Sequence, residues 1–213
     1  MANEKNEKAS PCITERPYQI DYVGTSPVSN YAGIEISVNG VVFNCFFVSC
    51  VEELTFSENA KIIKERAVDA VGYDSEEGFV CDMLRIPANI EEIEPGAFFW
   101  LDEVHNVDVD WNNEQYKAED DVIFTKDGKK LIYCSPSKSG DYEVPFGTEE
   151  IVAYAFNMSG LDSVSIPASV KTIHEFAFNN EDRECSITEI RGIPGSVAEQ
   201  YAQEHGFDFT EDR

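Results

Sequence analysis

The side chains able to do chemistry are three histidines (His105, His174, His205), six cysteines (Cys12, Cys45, Cys50, Cys81, Cys134, Cys185) and a surplus of carboxylates, 41 Asp+Glu in 213 residues. A His-centred triad or a shared metal site needs its members to converge. The three histidines fall in segments that the repeat described below holds apart, so they read as surface or coil residues. No cysteine pair has the two-residue spacing of a zinc or thioredoxin motif. Cys45 and Cys50 are five apart in a strand-like run, and an odd separation sends them to opposite faces. The cysteines are therefore expected to be ordinary thiols packed as small hydrophobes.

Adjacent carboxylates occur at Glu91-Glu92, Glu119-Asp120-Asp121 and Glu149-Glu150. A glycoside hydrolase would need two carboxyls about 5–10 Å apart in a cleft, one with a raised pKa. With 41 acids such neighbours arise by chance, and most should be solvated faces. Asp120, Asp121 and Asp127 lack the glycine-bearing loop pattern of a calcium site. Gly24, Gly33 and Gly40 are isolated turn glycines rather than a phosphate loop, and no Gly-x-Ser-x-Gly elbow is present. No catalytic residue, cofactor or metal ligand is assigned.

Against the acids stand 16 Lys+Arg, for a formal net charge of −25. Such a surface repels phosphate backbones and anionic membranes. The 42% hydrophobic and 12% aromatic content is too apolar for a disordered acidic chain. Folding of a chain this long buries roughly 70% of its unfolded surface, enough for one core or one repeat array. The first 17 residues contain no apolar stretch of the ~7–15 that a signal peptide needs. The most apolar window, residues 41–48, is far short of the ~20 that span a bilayer. No lipidation signal ends the sequence. As written, the chain reads as cytoplasmic, or else as lacking an upstream segment, and without membrane insertion.

An internal repeat dictates the elements. Residues 84–98 read LRIPANIEEIEPGAF, residues 142–156 YEVPFGTEEIVAYAF, and residues 164–178 VSIPASVKTIHEFAF. Pro87, Pro145 and Pro167 each precede, by eleven residues, the Phe of an Ala-Phe pair: Phe98, Phe156 and Phe178. Ile93, Ile151 and Ile173 lie five before each Phe. A weaker copy, residues 54–68, has Ser57 for the proline, Ile63, and Val68 for the Phe. A partial copy, residues 186–192, supplies only a strand. Prolines in phase with Phe exclude amphipathic helices and instead end short strands. A 22-residue unit cannot bury its own apolar face, but stacked copies cover one another. Val104, Val107 and Val109 predict one more strand, and DVIFTKDGKKLIYC around Asp127-Gly128 predicts an inserted hairpin near 111–143.

The strand, Ile-Pro, Ile, Ala-Phe pattern resembles the BspA-like leucine-rich repeats over about residues 48–209. It is most specific in residues 86–98 and 166–178. The hairpin of residues 120–134 and the ending of residues 190–209 also resemble segments of that family. The resemblance implies a mostly β, right-handed leucine-rich-repeat solenoid with short helical turns. It also implies adhesion or interaction roles in bacterial proteins that are often exported or at the cell surface. We expect a flexible tail over 1–17, an N-terminal β cap over 18–50 with a hairpin at Asn39-Gly40, and a solenoid over 51–213, one structural domain overall. A C-terminal cap over 193–209 has a helix started by a Ser196/Glu199 capping box and ended at Gly206. Phe207 and Phe209 alternate as a last strand.

In such strands, residues flanking the inward apolar ones form an outward sheet face, the usual binding surface of stacked repeats. The expected set is Glu53 and Thr55, Met83 and Arg85, Asp108 and Asp110, Asp141 and Glu143, Ser163 and Ser165, Glu189 and Arg191. Six are acidic. The expected function is non-catalytic binding of a protein or peptide of basic character through one continuous face. The alternatives are a structural spacer in a larger surface assembly and a hydrolase using paired carboxylates.

Overall fold

The computed structural model describes residues 19–23, 33–47, 51–69, 80–178 and 186–212. The expected tail, residues 1–17, and Cys12, Cys50 and Cys185 lie outside them. The described chain begins with an antiparallel meander of β1 (Gln19–Val23), β2 (Gly33–Val38) and β3 (Val41–Phe47). Asn39 (φ 51°) and Gly40 (φ 79°) make the β2–β3 turn, both left-handed as a two-residue hairpin loop demands. Coils follow, each with one strand on the long face and a short strand on the return. They run β4 (Val51–Leu54), β5 (Ile62–Ile63), β6 (Val68–Asp69), β7 (Val80–Ile86), β8 (Glu92–Ile93) and β9 (Glu103–Val109). The strands β4, β7 and β9 pair in parallel, while β5 and β8 extend the sheet begun by the meander.

The plan then starts again. An antiparallel set, β10 (Tyr116–Glu119), β11 (Val122–Thr125) and β12 (Lys130–Cys134), precedes β13 (Ser139–Glu143), β14 (Glu150–Ile151), β15 (Gly160–Ile166), β16 (Thr172–Ile173) and β17 (Glu189–Gly192). A helix, α1 (Val197–His205), and β18 (Asp208–Glu211) close the end. The whole is a β-solenoid of about seven turns. The inserted hairpin is thus a second version of the opening meander. Asn39-Gly40 matches Asp127-Gly128, Ile63 matches Ile151 and Val68 matches Phe156 at one constant offset of 88. The strand β3 pairs in parallel with β5 as β12 does with β14.

The Ala-Phe pairs form a column through the core. Phe98, Phe156 and Phe178 are buried, and so are Ala97, Ala155 and Ala177. Phe156 and Phe178 stack at 4.6 Å and 10°, and Phe98 meets Tyr133 edge-on at 5.1 Å. Backbones touch beside them: Val68 N–H donates to Ala97 O (3.1 Å) and Phe156 N–H to Ala177 O (2.8 Å). Only a small side chain fits where coils come that close. Ser57 replaces the proline of other copies for a reason visible in the fold. Its N–H (2.9 Å) and hydroxyl (2.7 Å) both donate to the buried Glu35 carboxylate of β2, and proline has no N–H to give.

The cap differs from the expected capping box in one detail. Ser196 takes the N-cap position, but its hydroxyl makes no cap hydrogen bond and is buried without a partner. The Glu199 carboxylate accepts the N–H of Gly195 instead (2.6 Å), because left-handed Gly195 (φ 80°) brings its own amide within reach. Gly206, at φ 80°, ends the helix as expected. Tyr201 and Phe207 pack on Phe178 at 5.4 and 5.7 Å and cover the last coil.

Candidate interaction face

Parallel register brings the outward side chains into rows. On the first sheet Glu53, Met83 and Asn106 align, and Arg85 aligns with Asp108. On the second, Asp141, Ser163, Glu189 and Asp208 form one row, and Glu143, Ser165, Arg191 and Thr210 the next. Asn106, Asp208 and Thr210 were not among the expected residues; counting outward from the apolar residues of β9 and β18 would have found them. Asp110 was placed one step too far. It lies past β9, where its carboxylate accepts the N–H of Asn112 (2.8 Å) and shapes a turn. Thr55 likewise lies past β4. Ser163 is on the outer row but buried, its hydroxyl donated to Asp141 at 2.6 Å.

Both arginines of the face are taken up by carboxylates. Arg85 bridges Glu53 (3.2 Å) and Asp108 (2.6 Å), and Arg191 bridges Asp141 (3.2 Å) and Glu189 (2.8 Å). The Ser163 hydroxyl, then Arg191, hold the Asp141 carboxyl below its ordinary value. The Thr210 hydroxyl, then Arg191, do the same for Glu189. Glu143 is exposed and has no described side-chain partner.

The expected continuous face is instead two faces. The strands β9 and β13 do not pair. The free edge of β9 is satisfied by side chains of the inserted segment: Val104 N–H donates to Ser137 Oγ (3.0 Å), Ser135 Oγ to Val104 O, and Val107 N–H to Asp121 Oδ1 (2.9 Å). On the return side, Ile93 N–H donates to the Tyr116 hydroxyl (2.8 Å). Asn113, almost fully buried, completes the junction. Its amide donates to Pro87 O and Ile90 O, and its oxygen accepts the N–H groups of Gln115 and Tyr116. Asn89 binds Ser57 O and Ala60 O in the same way one coil earlier.

The remaining chemical side chains serve the scaffold. His105 lies between Asp82 (2.9 Å) and Glu103 (2.8 Å), and the Glu103 and Asp82 carboxylates raise its pKa. His174 Nδ1 accepts Phe176 N–H (3.2 Å), and His205 stacks on Tyr201 (4.1 Å). Glu149 is held between Lys171 and Lys129, and Glu150 by Lys130 (2.7 Å). Asp120 pairs with Lys138 (2.6 Å), and Asp127 accepts from Thr125 and Lys129 in its own turn. No group of His, Cys, Asp and Glu among the described residues could hold a metal ion. Cys81 and Cys134 are free and buried, and burial pushes both thiols up to about 12.

The chain is a β-solenoid whose outward rows carry more carboxylates than arginines. Residues 130–202 match the family model of the BspA type leucine rich repeat region, in six copies. Residues 130–202 thus carry leucine-rich repeats of the BspA type. No curated protein matches it at a significant level. Among solved structures, a leucine-rich repeat protein from Eubacterium ventriosum is 15% identical, with TM-score 0.48 over 81% of this chain and 66% of that one. The pneumococcal vaccine antigen PcpA is 15% identical (TM-score 0.42, 76% and 68%). A leucine rich cell surface protein from Faecalibacterium prausnitzii is 19% identical (TM-score 0.47, 68% and 48%). The chain spans about two thirds of the first two proteins and about half of the third. No helix among the described residues is long and apolar enough to cross a membrane.

Proposed function

We propose that this protein binds another protein or peptide, of basic character, through its outward strand rows and does no catalysis. One observation carries the reading. Register leaves an excess of carboxylates on the rows, and both arginines there are already neutralised by neighbours. Such a field steers a cationic partner and repels an anionic one. Carboxylate pKa values argue against the hydrolase alternative. Among the described residues, those that depart from ordinary values, Glu94, Asp127, Asp141, Glu149 and Glu189, all go down. A general acid needs the opposite.

The test is capture on the immobilised full chain from native extract, eluted at rising salt. The double variant Asp108→Lys, Glu143→Lys is expected to lose the salt-eluted partner. The variant Glu114→Lys, Glu204→Lys, with the same charge change off the rows, is expected to retain it. Equal capture by both variants would refute the reading and return weight to a structural spacer.

A further inference from the structure

The second face has a feature that its charge does not explain. An open depression of about 670 Å³ lies where β13, β15 and β17 end, with Phe146 and Ile193 on its rim. Phe146 is 85% exposed and Ile193 49%, two of the four large hydrophobics exposed among the described residues. The repeat makes Phe146 conspicuous. The residue after the signature proline is Ala88 and Ala168 in the flanking copies but Phe146 here, and no packing demand of the fold places a ring in solvent. Around these two apolar groups stand Asp141, Glu143 and Asp212, against the single cation Arg191. Arg191 is occupied by Asp141 and Glu189, and Asp212 accepts the Ser165 hydroxyl. Glu143 is left to meet an incoming charge.

Resting on the reading above and narrowing it, we infer that this depression is a docking site for a short segment of a partner protein carrying Lys or Arg next to a large apolar side chain. The apolar side chain covers Phe146 and Ile193, and the cation meets Glu143 and the carboxylate wall. Charge alone would not call for the exposed ring, and an apolar ligand alone would not call for the carboxylates. The two together define the ligand.

The experiment uses the full chain and three labelled octapeptides, alternating Leu-Arg, Ser-Arg and Leu-Glu, read by fluorescence anisotropy. Binding is measured at about 0.1 M and about 1 M salt, where the Debye length is ~10 and ~3 Å. The Leu-Arg peptide is expected to bind about tenfold tighter than Ser-Arg, and Leu-Glu not at all. Phe146→Ser and Glu143→Gln should each weaken Leu-Arg binding about tenfold, the scale of a truncated interface anchor. Trp111→Ser, which removes an equally exposed ring outside the depression, should not. Circular dichroism melts keep folding defects apart from binding defects.

If Ser-Arg binds as well as Leu-Arg, or Phe146→Ser changes nothing while Glu143→Lys weakens binding, the docking site is refuted and the basic-partner reading stands. If neither basic peptide binds, both fall. Sedimentation that shows self-association abolished by Phe146→Ser, with no peptide binding, would assign the depression to a second copy of this chain and overturn the inference.

Discussion

The two strand faces follow one plan and end with different surfaces. Each centres an arginine between two carboxylates, but by different routes: Arg85 takes Glu53 and Asp108 from the strands on either side, and Arg191 takes Glu189 from its own strand and Asp141 from two strands away. Each follows an antiparallel start whose last strand pairs in parallel with the first short return strand. The first face, however, ends against the inserted segment, which supplies Ser135, Ser137 and Asp121 to its open edge. The second runs on through β17 to β18, under the helical cap, and carries Phe146 and Ile193 at its corner. Shared rows therefore mark what a stacked β-array needs to hold its charges. The departures between faces are where binding is to be sought.

The comparison can be broken at four points. The largest effect is expected in the column of rings under the second face. Phe156→Ala removes a fully buried ring stacked on Phe178, and should cost about 3–5 kcal/mol in denaturant unfolding. At the junction, Asn113→Ala removes a hydrogen bond from four backbone groups where Asn89→Ala removes one from two, and in each case one carbonyl, Pro87 O or Ser57 O, keeps a backbone N–H. Asn113→Ala should cost roughly 2–3 kcal/mol, and visibly more than Asn89→Ala, given ~1–3 kcal/mol for a buried unsatisfied group. Equal losses would show that the junction is no more dependent on its asparagine than an ordinary coil.

Third, Cys81 under the first face and Cys134 at the end of the inserted hairpin are expected to resist alkylation at pH 8 in the folded protein and react fully in denaturant, read by peptide mass spectrometry. Selective labelling of one would reveal a half that opens alone.

The smallest effect is in pH, and its sign differs between faces. On the first, His105 has a raised pKa, so its contribution to stability is full below its unfolded value of ~6.5 and is lost as pH rises through the folded value. On the second, Asp141 and Glu189 have lowered pKa values. Their contribution is full above the ordinary carboxylate value of ~4 and is lost as pH falls through the folded values. These groups are exposed or, for Glu189, half-exposed, so the changes in stability will be slight. NMR titration should place the His105 midpoint above 6.5 and those of Asp141 and Glu189 below ordinary carboxylates.

Much of the fold was legible because the repeat is written in residues that have few uses. Proline in phase with Ala-Phe excludes a helix and places each strand end. Asn-Gly and Asp-Gly mark their turns, and both are observed as left-handed pairs or glycines. The β9 valines and the alternation of Phe207 and Phe209 placed further strands. The rows were legible through alternation, which also misled at Asp110, because the strand ends before it. Ser163 was misread because its burial depends on Asp141, a neighbour across the sheet and 22 residues away. The Ser196 hydroxyl was misjudged because the left-handed Gly195 redirects which amide meets Glu199. Phe146, standing where the flanking copies have Ala88 and Ala168, was passed over in the sequence, and only its exposure gives that difference meaning.

The sequence by itself determined the repeat, its parallel stacking and the acidic character of the outward residues. Periodicity, proline and the small alanine act on the chain locally, so their consequences can be read locally. Tertiary structure decided that the face is split in two, that both arginines are neutralised, and that a phenylalanine and an isoleucine share one depression with carboxylates. Those outcomes depend on which coil lies beside which, and on side chains from the inserted segment that meet an edge more than ten residues away. Register across coils sets those distances, and a linear pattern does not contain it.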